Sequence, residues 1–326
     1  MVSENARELC NEVQKLISGR RRPRIERMFA SLEHERRRSA AISRNRAKVI
    51  AQAAAAIGID LPEIERWQRD DTATLVKFLD EQAAALQAEA AEMSQRRGRL
   101  IRDLRASGRR IEYRTGNPME LVCLWNANMA NVDPLFLGGG SETSNVILGP
   151  QAGANSVESK LSAQQGVVRI DIDFHFPWLN PTAGWLSLTS WVYAWGSYRV
   201  LAPAACFFTN GASAELGASM AFFQRSPNGW IELGSTPFIP ILDKQITSDS
   251  SFGRGEIGAS GQPTGFSDYI TLTKPEPVPI LAASPIDVVV TIKLIASASN
   301  DASSMMDFTT GSYEVNVPSV WMTLES

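Results

Sequence analysis

Two histidines stand in the 326 residues, His34 and His175, so any imidazole chemistry must use one of them. His34 lies among arginines on a helical stretch, where a second positive charge is costly and no nucleophile is near in sequence. His175 closes the run Asp171-x-Asp173-x-His175, and alternate residues of a strand share one face. A metal site on that face is conceivable from the residue types. Side chains at i, i+2 and i+4 stand about 7 Å apart, too far for all three to hold one ion. The run therefore reads as the polar outer face of a sheet.

Other chemistry is sparse. A Ser-His-Asp site would need His175, and no G-x-S-x-G elbow accompanies it. "LGGGS" at 137–141 lacks the lysine and the strand–loop–helix context of a phosphate loop, and reads as a loop. No carboxylate pair stands out for glycoside hydrolysis. Cys10, Cys123 and Cys206 include no C-x-x-C and read as packed thiols. The expectation is a protein with no catalytic residue, no metal and no cofactor.

The elements that would carry these residues fall into two compositions. Up to Arg110 the chain has 23 Lys and Arg against 16 Asp and Glu, a balance of +7; from Ile111 it has 9 against 19, a balance of −10. Only Trp67 of eight tryptophans lies in the first part. This predicts a helical, basic region at 1–110 and a second domain at 111–326. The start has no basic segment followed by an apolar core, and no apolar run reaches bilayer length. That leaves a cytoplasmic, virion-associated or signal-independent exported protein.

In the first region Leu9, Val13, Leu16 and Ile17 form one helical stripe over residues 3–18, with Ser3 as cap and Gly19 as stop. A second helix follows from Ile25 to Ala56, with an uneven seam. Ile57 to Asp60 make a short connection, and Asp60, Pro62 and Glu63 have the order of a capped helix start. The third helix has the cleanest pattern. Leu79, Leu86, Met93 and Leu100 recur every seven residues, and Val76, Ala83, Ala90 and Leu104 fill the complementary positions, with Arg97 the one departure. If continuous from Leu61 to Leu104 it is roughly 65 Å long. The pattern predicts a helical hairpin or coiled coil that assembles copies of the chain, a three-helix bundle with residues 3–18 being the alternative.

Arginines cluster in "RRRPR" at 20–24, in a stretch read as non-helical. Arg20, Arg21, Arg22 and Arg24 are candidates for contact with nucleic acid or an acidic surface. Arginines further along point around the whole helix, and pairs such as Glu33 with Arg37 suggest a solvated, salt-laced surface.

Beyond Asn117 the period changes to 2. Val168, Ile170, Ile172, Phe174 and Phe176 alternate with polar residues, as do Val288, Val290, Ile292, Leu294 and Ala296. Tyr313, Val315 and Val317 alternate until Pro318, after which Val320, Met322 and Leu324 take the opposite phase. Asn228-Gly229 marks a hairpin. About eight strands separated by turn residues predict an antiparallel β-sandwich, jelly-roll-like, with 234–268 as a long loop and 274–285 as an extended connector. The fold class is thus α+β in separate regions.

One strand is aromatic. In "GWLSLTSWVYAWGSYRV" Leu186, Leu188, Val192 and Ala194 share one side, and Trp185, Trp191, Tyr193 and Trp195 the other. Neither side is charged, which predicts a central strand covered on both faces, its aromatics filling a core or a subunit contact. Sugar stacking or membrane insertion are the other uses of such a face. The sequence thus predicts a non-enzymatic structural or binding protein: a helix-mediated homo-oligomer displaying a β-sandwich head, as in a virion, appendage or other assembly subunit. A lectin-like or membrane-targeting head is the alternative.

Overall fold

A computed structural model describes residues 4–63, 66, 70, 119–148, 155–179, 182–202, 210–248, 264–311 and 313–325. The seam Val76, Leu79, Ala83, Leu86, Ala90, Met93, Leu100 and Leu104, the cap at Ser3 and the boundary near residue 110 lie outside these residues.

The first element, α1 (Glu4–Ala56), is one helix of 53 residues, or about 80 Å. It runs through Gly19 and Pro23, so the break expected there does not occur. A proline removes one helical hydrogen bond and its ring crowds the carbonyl four residues back. That residue is Gly19, where an added Cβ would meet nothing within 4 Å, and contacts of Val13, Arg20 and Arg21 with the sandwich hold the helix just before the proline. The end forms as its residues require. Ile59 N–H bonds to the Ala54 carbonyl at 3.0 Å and Gly58 N–H to that of Ala55 at 3.3 Å, a Schellman pattern with Gly58 at φ +76°. Glu63 N–H then bonds to Asp60 Oδ1 at 3.2 Å, the expected cap. Glu33 and Arg37 pair at 2.8 Å as their spacing predicts.

Among the described residues eleven strands follow, all paired antiparallel: β1 (Met119–Leu124), β2 (Met129–Leu148), β3 (Asn155–Leu179), β4 (Gly184–Leu201), β5 (Asn210–Ser226), β6 (Gly229–Ser235), β7 (Ile239–Ser248), β8 (Thr264–Ile280), β9 (Pro285–Asp307), β10 (Glu314–Asn316) and β11 (Val320–Glu325). They make a β-sandwich-like fold in which the longest strands serve both layers. Residues 129–138 of β2, 166–179 of β3 and 285–299 of β9 pair side by side, followed by β5 with β6 and β7. The other layer uses 139–148 of β2, 155–164 of β3, 303–307 of β9, then β4 and β8, with β10, β11 and β1 completing it.

The long strands change layer at bulges. β2 slips register between Gly138 and Gly139, and β3 between Gln164 and Gly166. Gly138, Gln165 and Asn300 have φ of +79°, +54° and +55°, backbone that bends a strand sharply. A Cβ on Gly138 would lie 2.5 Å from the Gln165 carbonyl oxygen. Residues 137–141, expected as a loop, are therefore a corner inside β2.

Between the layers lies one apolar core. Phe174 and Phe176 from β3, Leu186 and Leu188 from β4, Met220 and Phe222 from β5, and Phe308 are all buried in it. The alternating residues of 168–176 and 288–296 point inward as predicted, as do Val315, Val317, Val320, Met322 and Leu324 with the change of phase at Pro318, whereas Tyr313 packs on Trp195 outside this core. The hairpin from β5 to β6 pairs Ser226 with Gly229, so Pro227 and Asn228 form its corner. The expected loop at 234–268 contains β7 and the start of β8, and the expected connector at 274–285 begins as the end of β8.

Candidate functional site

The two outer faces of the sandwich differ. On the layer that holds 166–179, odd-numbered residues of β3 and β9 point away from the core, with Asp171 opposite Lys293 and Asp173 opposite Thr291. α1 lies across this face. Val13 packs with Phe223 and Val289, flanked by Leu16, Ile17, Ala221 and Trp230. The stripe predicted for residues 3–18 is thus real, and it docks on the sandwich instead of on a three-helix bundle.

The polar residues between these contacts are buried with them. Arg21 clasps Asp173 with two hydrogen bonds, Nη1 to Oδ2 at 2.8 Å and Nη2 to Oδ1 at 2.7 Å. Asp173 also accepts from Gln14 Nε2 at 3.0 Å and Thr291 Oγ1 at 2.7 Å. Arg169 chelates Asp171. His175 Nδ1 lies 2.7 Å from Asp287 Oδ2, and its Nε2 lies 2.8 Å from Gln14 Oε1. Asp173, His175 and Asp287 are each 0% exposed. The Asp171–Asp173–His175 run faces out from its sheet, as predicted, but meets a helix and not water.

Partners fix the proton positions. Gln14 donates through Nε2 to Asp173 and Ser18, so its Oε1 accepts and His175 Nε2 carries a hydrogen. One further proton must lie between Nδ1 and Asp287 Oδ2, whichever of the two owns it. Asp287 Oδ1 is buried without a well-formed hydrogen bond. Burial pushes the Asp287 carboxyl above the ordinary range, against the pull of His175 and the Phe176 N–H. Burial also raises Asp171, opposed by Arg169 and Arg21. Asp173 is depressed, because Arg21, Thr291 and Gln14 outweigh its burial.

Cys10 completes the cluster. Its sulfur, a ring nitrogen of His175 and an oxygen of Asp287 all lie within 4.8 Å of one another. Burial, reinforced by Asp287, keeps the thiol protonated far above its usual pKa. A buried thiol facing an imidazole whose two nitrogens are engaged is no nucleophile. The sequence makes Cys10 a packed thiol and does not single out Asp287, and it brings neither to His175, since they lie 165 and 112 residues from it in the chain.

Two of the arginines at 20–24 pair with carboxylates of the sandwich. Arg20 pairs with Glu232 at 2.8 Å, Arg21 with Asp173, and Arg22 with Glu26 at 3.2 Å, while Arg24 is exposed. The expectation that they lie in non-helical chain without acidic partners is overturned. The head supplies the partners of Arg20 and Arg21, and the helix itself that of Arg22.

The opposite outer face is aromatic and open. β4 is central in its layer, between β8 and β11, as predicted. Its leucine side is core, but its aromatic side is not sealed. Trp185 is 53% exposed, Trp191 and Tyr193 are half-buried, and Trp195 is buried under Tyr313, with the rings at 5.7 Å. Trp321 makes edge contacts with Trp191 at 5.5 Å and Trp125 at 6.2 Å. Trp125, Leu121 and Tyr269 widen the exposed patch. The second covering layer expected over this face is absent among the described residues. A shallow polar cleft of about 740 Å³ lies at the bulges, lined by Gly139, Ser162, Gln165, Asn300 and Asp301 among others.

No family model and no curated protein matches this chain. Solved structures that resemble it do so weakly. The enzymatically active domain of tailspike protein 4 of bacteriophage CBA120 is 10% identical over 60% of this chain and 20% of its own, with a TM-score of 0.23. The family 11 carbohydrate-binding module of Clostridium thermocellum is 12% identical over 62% and 97%, with a TM-score of 0.20. The infectious bursal disease virus Gx strain structure is 11% identical over 66% and 41%, with a TM-score of 0.17.

Proposed function

We propose that the chain is a non-enzymatic structural or binding protein that works by contact. It assembles through its helices and presents the β-sandwich as a head. The observation that carries this reading is the uncovered aromatic face of Trp125, Trp185, Trp191, Trp321 and Tyr269. Monomeric soluble proteins rarely leave wide contiguous apolar patches open, and aromatic patches of this kind mark contact surfaces. Met28, Ile42 and Val49 of α1 are also exposed, at 38%, 48% and 65%, which adds a second surface in want of a partner. Burial of His175 and the engagement of both ring nitrogens support the absence of imidazole catalysis.

The finer reading assigns self-association to the heptad seam around Leu86, and a role as a virion, appendage or other assembly subunit. Leu86→Asp places a charge in that seam and should lower the oligomeric mass in light scattering while the β spectrum of the head persists. Wild-type mass in the variant removes the seam as the assembly element and leaves the aromatic face. A second reading, glycan binding, rests on the exposed Trp185 and Tyr269 rings, since sugars stack on such surfaces. A glycan array separates the two: specific signals lost in Trp185→Ala support it, and a blank array removes it.

A further inference from the structure

Of the groups that the contact reading leaves unused, the buried trio beneath α1 has the most specific chemistry. Cys10 comes from the helix, His175 from β3 and Asp287 from β9. Their donor atoms converge within 4.8 Å, and all three residues are 0% exposed. Sulfur, imidazole and carboxylate together are a zinc-type donor set. In a tetrahedral zinc site neighbouring donor atoms stand roughly 3.4–3.7 Å apart, so closing the trio on an ion needs only small side-chain shifts.

Three details favour a cation over a purely protonic cluster. Asp287 Oδ1 is a buried acceptor without a well-formed hydrogen bond, so a carboxylate turned to chelate the ion would add a short-bite fourth contact in a distorted site. The His175 Nε2–H is held by Gln14 Oε1 at 2.8 Å, the outer support that metal-bound histidines commonly have. That leaves Nδ1 as the ligating nitrogen.

Charge is the third detail. Without metal the trio holds a neutral thiol and a His–Asp pair sharing one proton, which is neutral overall. With a divalent ion, a thiolate and a carboxylate balance its two charges, and the imidazole stays neutral. The exchange is one M²⁺ in and two protons out, one from sulfur and one from between Nδ1 and Oδ2. The buried charge is unchanged, so the usual penalty on burying an ion is met within the site. Arg21 with Asp173 and Arg169 with Asp171 are already balanced alongside.

We propose that Cys10, His175 and Asp287 bind one zinc-type divalent ion that pins the first turns of α1 to β3 and β9. The ion would be structural, in a closed site, and independent of what the aromatic face contacts.

The test uses the full chain, stripped with chelator and titrated with Zn²⁺ or Co²⁺. The expected result is one ion per chain, release of about two protons per ion near neutral pH, and a near-ultraviolet thiolate-to-cobalt charge-transfer band. Cys10→Ala removes only a buried thiol and should fold with an unchanged β spectrum, yet lose the band and the stoichiometry. Asp287→Asn should weaken binding in the same way. Absence of stoichiometric binding in the wild type overturns the proposal, as does equal binding in wild type and Cys10→Ala.

Discussion

The sandwich has two outer faces, and they have been finished in opposite ways. One is paved with charge and sealed by a helix; the other is paved with aromatic rings and left open. The sealed face pairs its carboxylates with Arg21, Arg169 and His175, and Arg21 and Gln14 tie this polar layer to α1. On the open face Trp185 and Tyr269 are more than half exposed, and the fold makes little use of them. Buried polar contacts can fix position and register, at a desolvation cost that apolar packing avoids. Exposed aromatics contribute little until something covers them. The contrast teaches that the attachment of α1 and the exposed aromatic surface lie on separate layers, and that either can be altered while the other stays.

The largest expected effect follows from cutting the Arg21–Asp173 clasp. Arg21→Ala leaves Asp173 charged, buried and short of its main partner, and should cost about 3–5 kcal/mol in denaturant unfolding. The double replacement Arg21→Met with Asp173→Leu removes both charges and should recover much of that loss. Equal destabilisation by single and double variants would show that apolar packing of Val13 and its neighbours, and not the ion pair, holds the helix.

Acid should weaken the sealed face next. A carboxyl depressed in the folded state contributes stability that is present above its unfolded value and lost as pH falls through the folded one. Asp173 and Asp307 are of this kind, so their contribution should be lost below the ordinary carboxylate value of 3.8. Asp171 and Asp287 are raised from the same 3.8 and act with the opposite sign: their contribution is full below that value and declines as pH rises through the folded one. Unfolding midpoints between neutral pH and pH 3 should therefore fall less steeply in Asp173→Asn than in wild type. An identical slope would remove Asp173 as the main acid-labile group.

How much of this was open to sequence reasoning depends on the distance over which each signal acts. The inward sets at 168–176 and 288–296, and the slip at Pro318, were legible because alternation with one apolar face is local. The connection at Ile57–Asp60 was legible for the same reason, since Gly58 and Asp60 act on their own neighbours. Residues 171–175 were placed on the correct face, but alternation cannot tell water from a covering helix. Arg21 and Asp173 are 152 residues apart, and no local pattern carries that pairing. Gly19 and Pro23 are helix breakers by propensity, overruled by the contacts of Arg21 and Val13 with the head. "LGGGS" reads as a loop in sequence because glycines serve a layer-changing corner as well as a turn.

The smallest effects belong to the open face. Trp191→Ala loses an edge contact with Trp321 and should cost about 0.5–1.5 kcal/mol beyond lost burial. Trp185→Ala should change stability by no more than about 0.5 kcal/mol. If that face is a contact surface, both should nevertheless reduce partner or self-binding measurably. A Trp185 variant that unfolds readily would make the ring a structural element and dissolve the contrast between the faces.

The central proposal is that copies of this chain assemble with one another, and its mass in solution tests that most directly. Light scattering of the intact protein should give a multiple of the 35.6 kDa chain, with the same multiple over a wide range of concentrations. A mass of 35.6 kDa at every concentration up to the limit of solubility would contradict it.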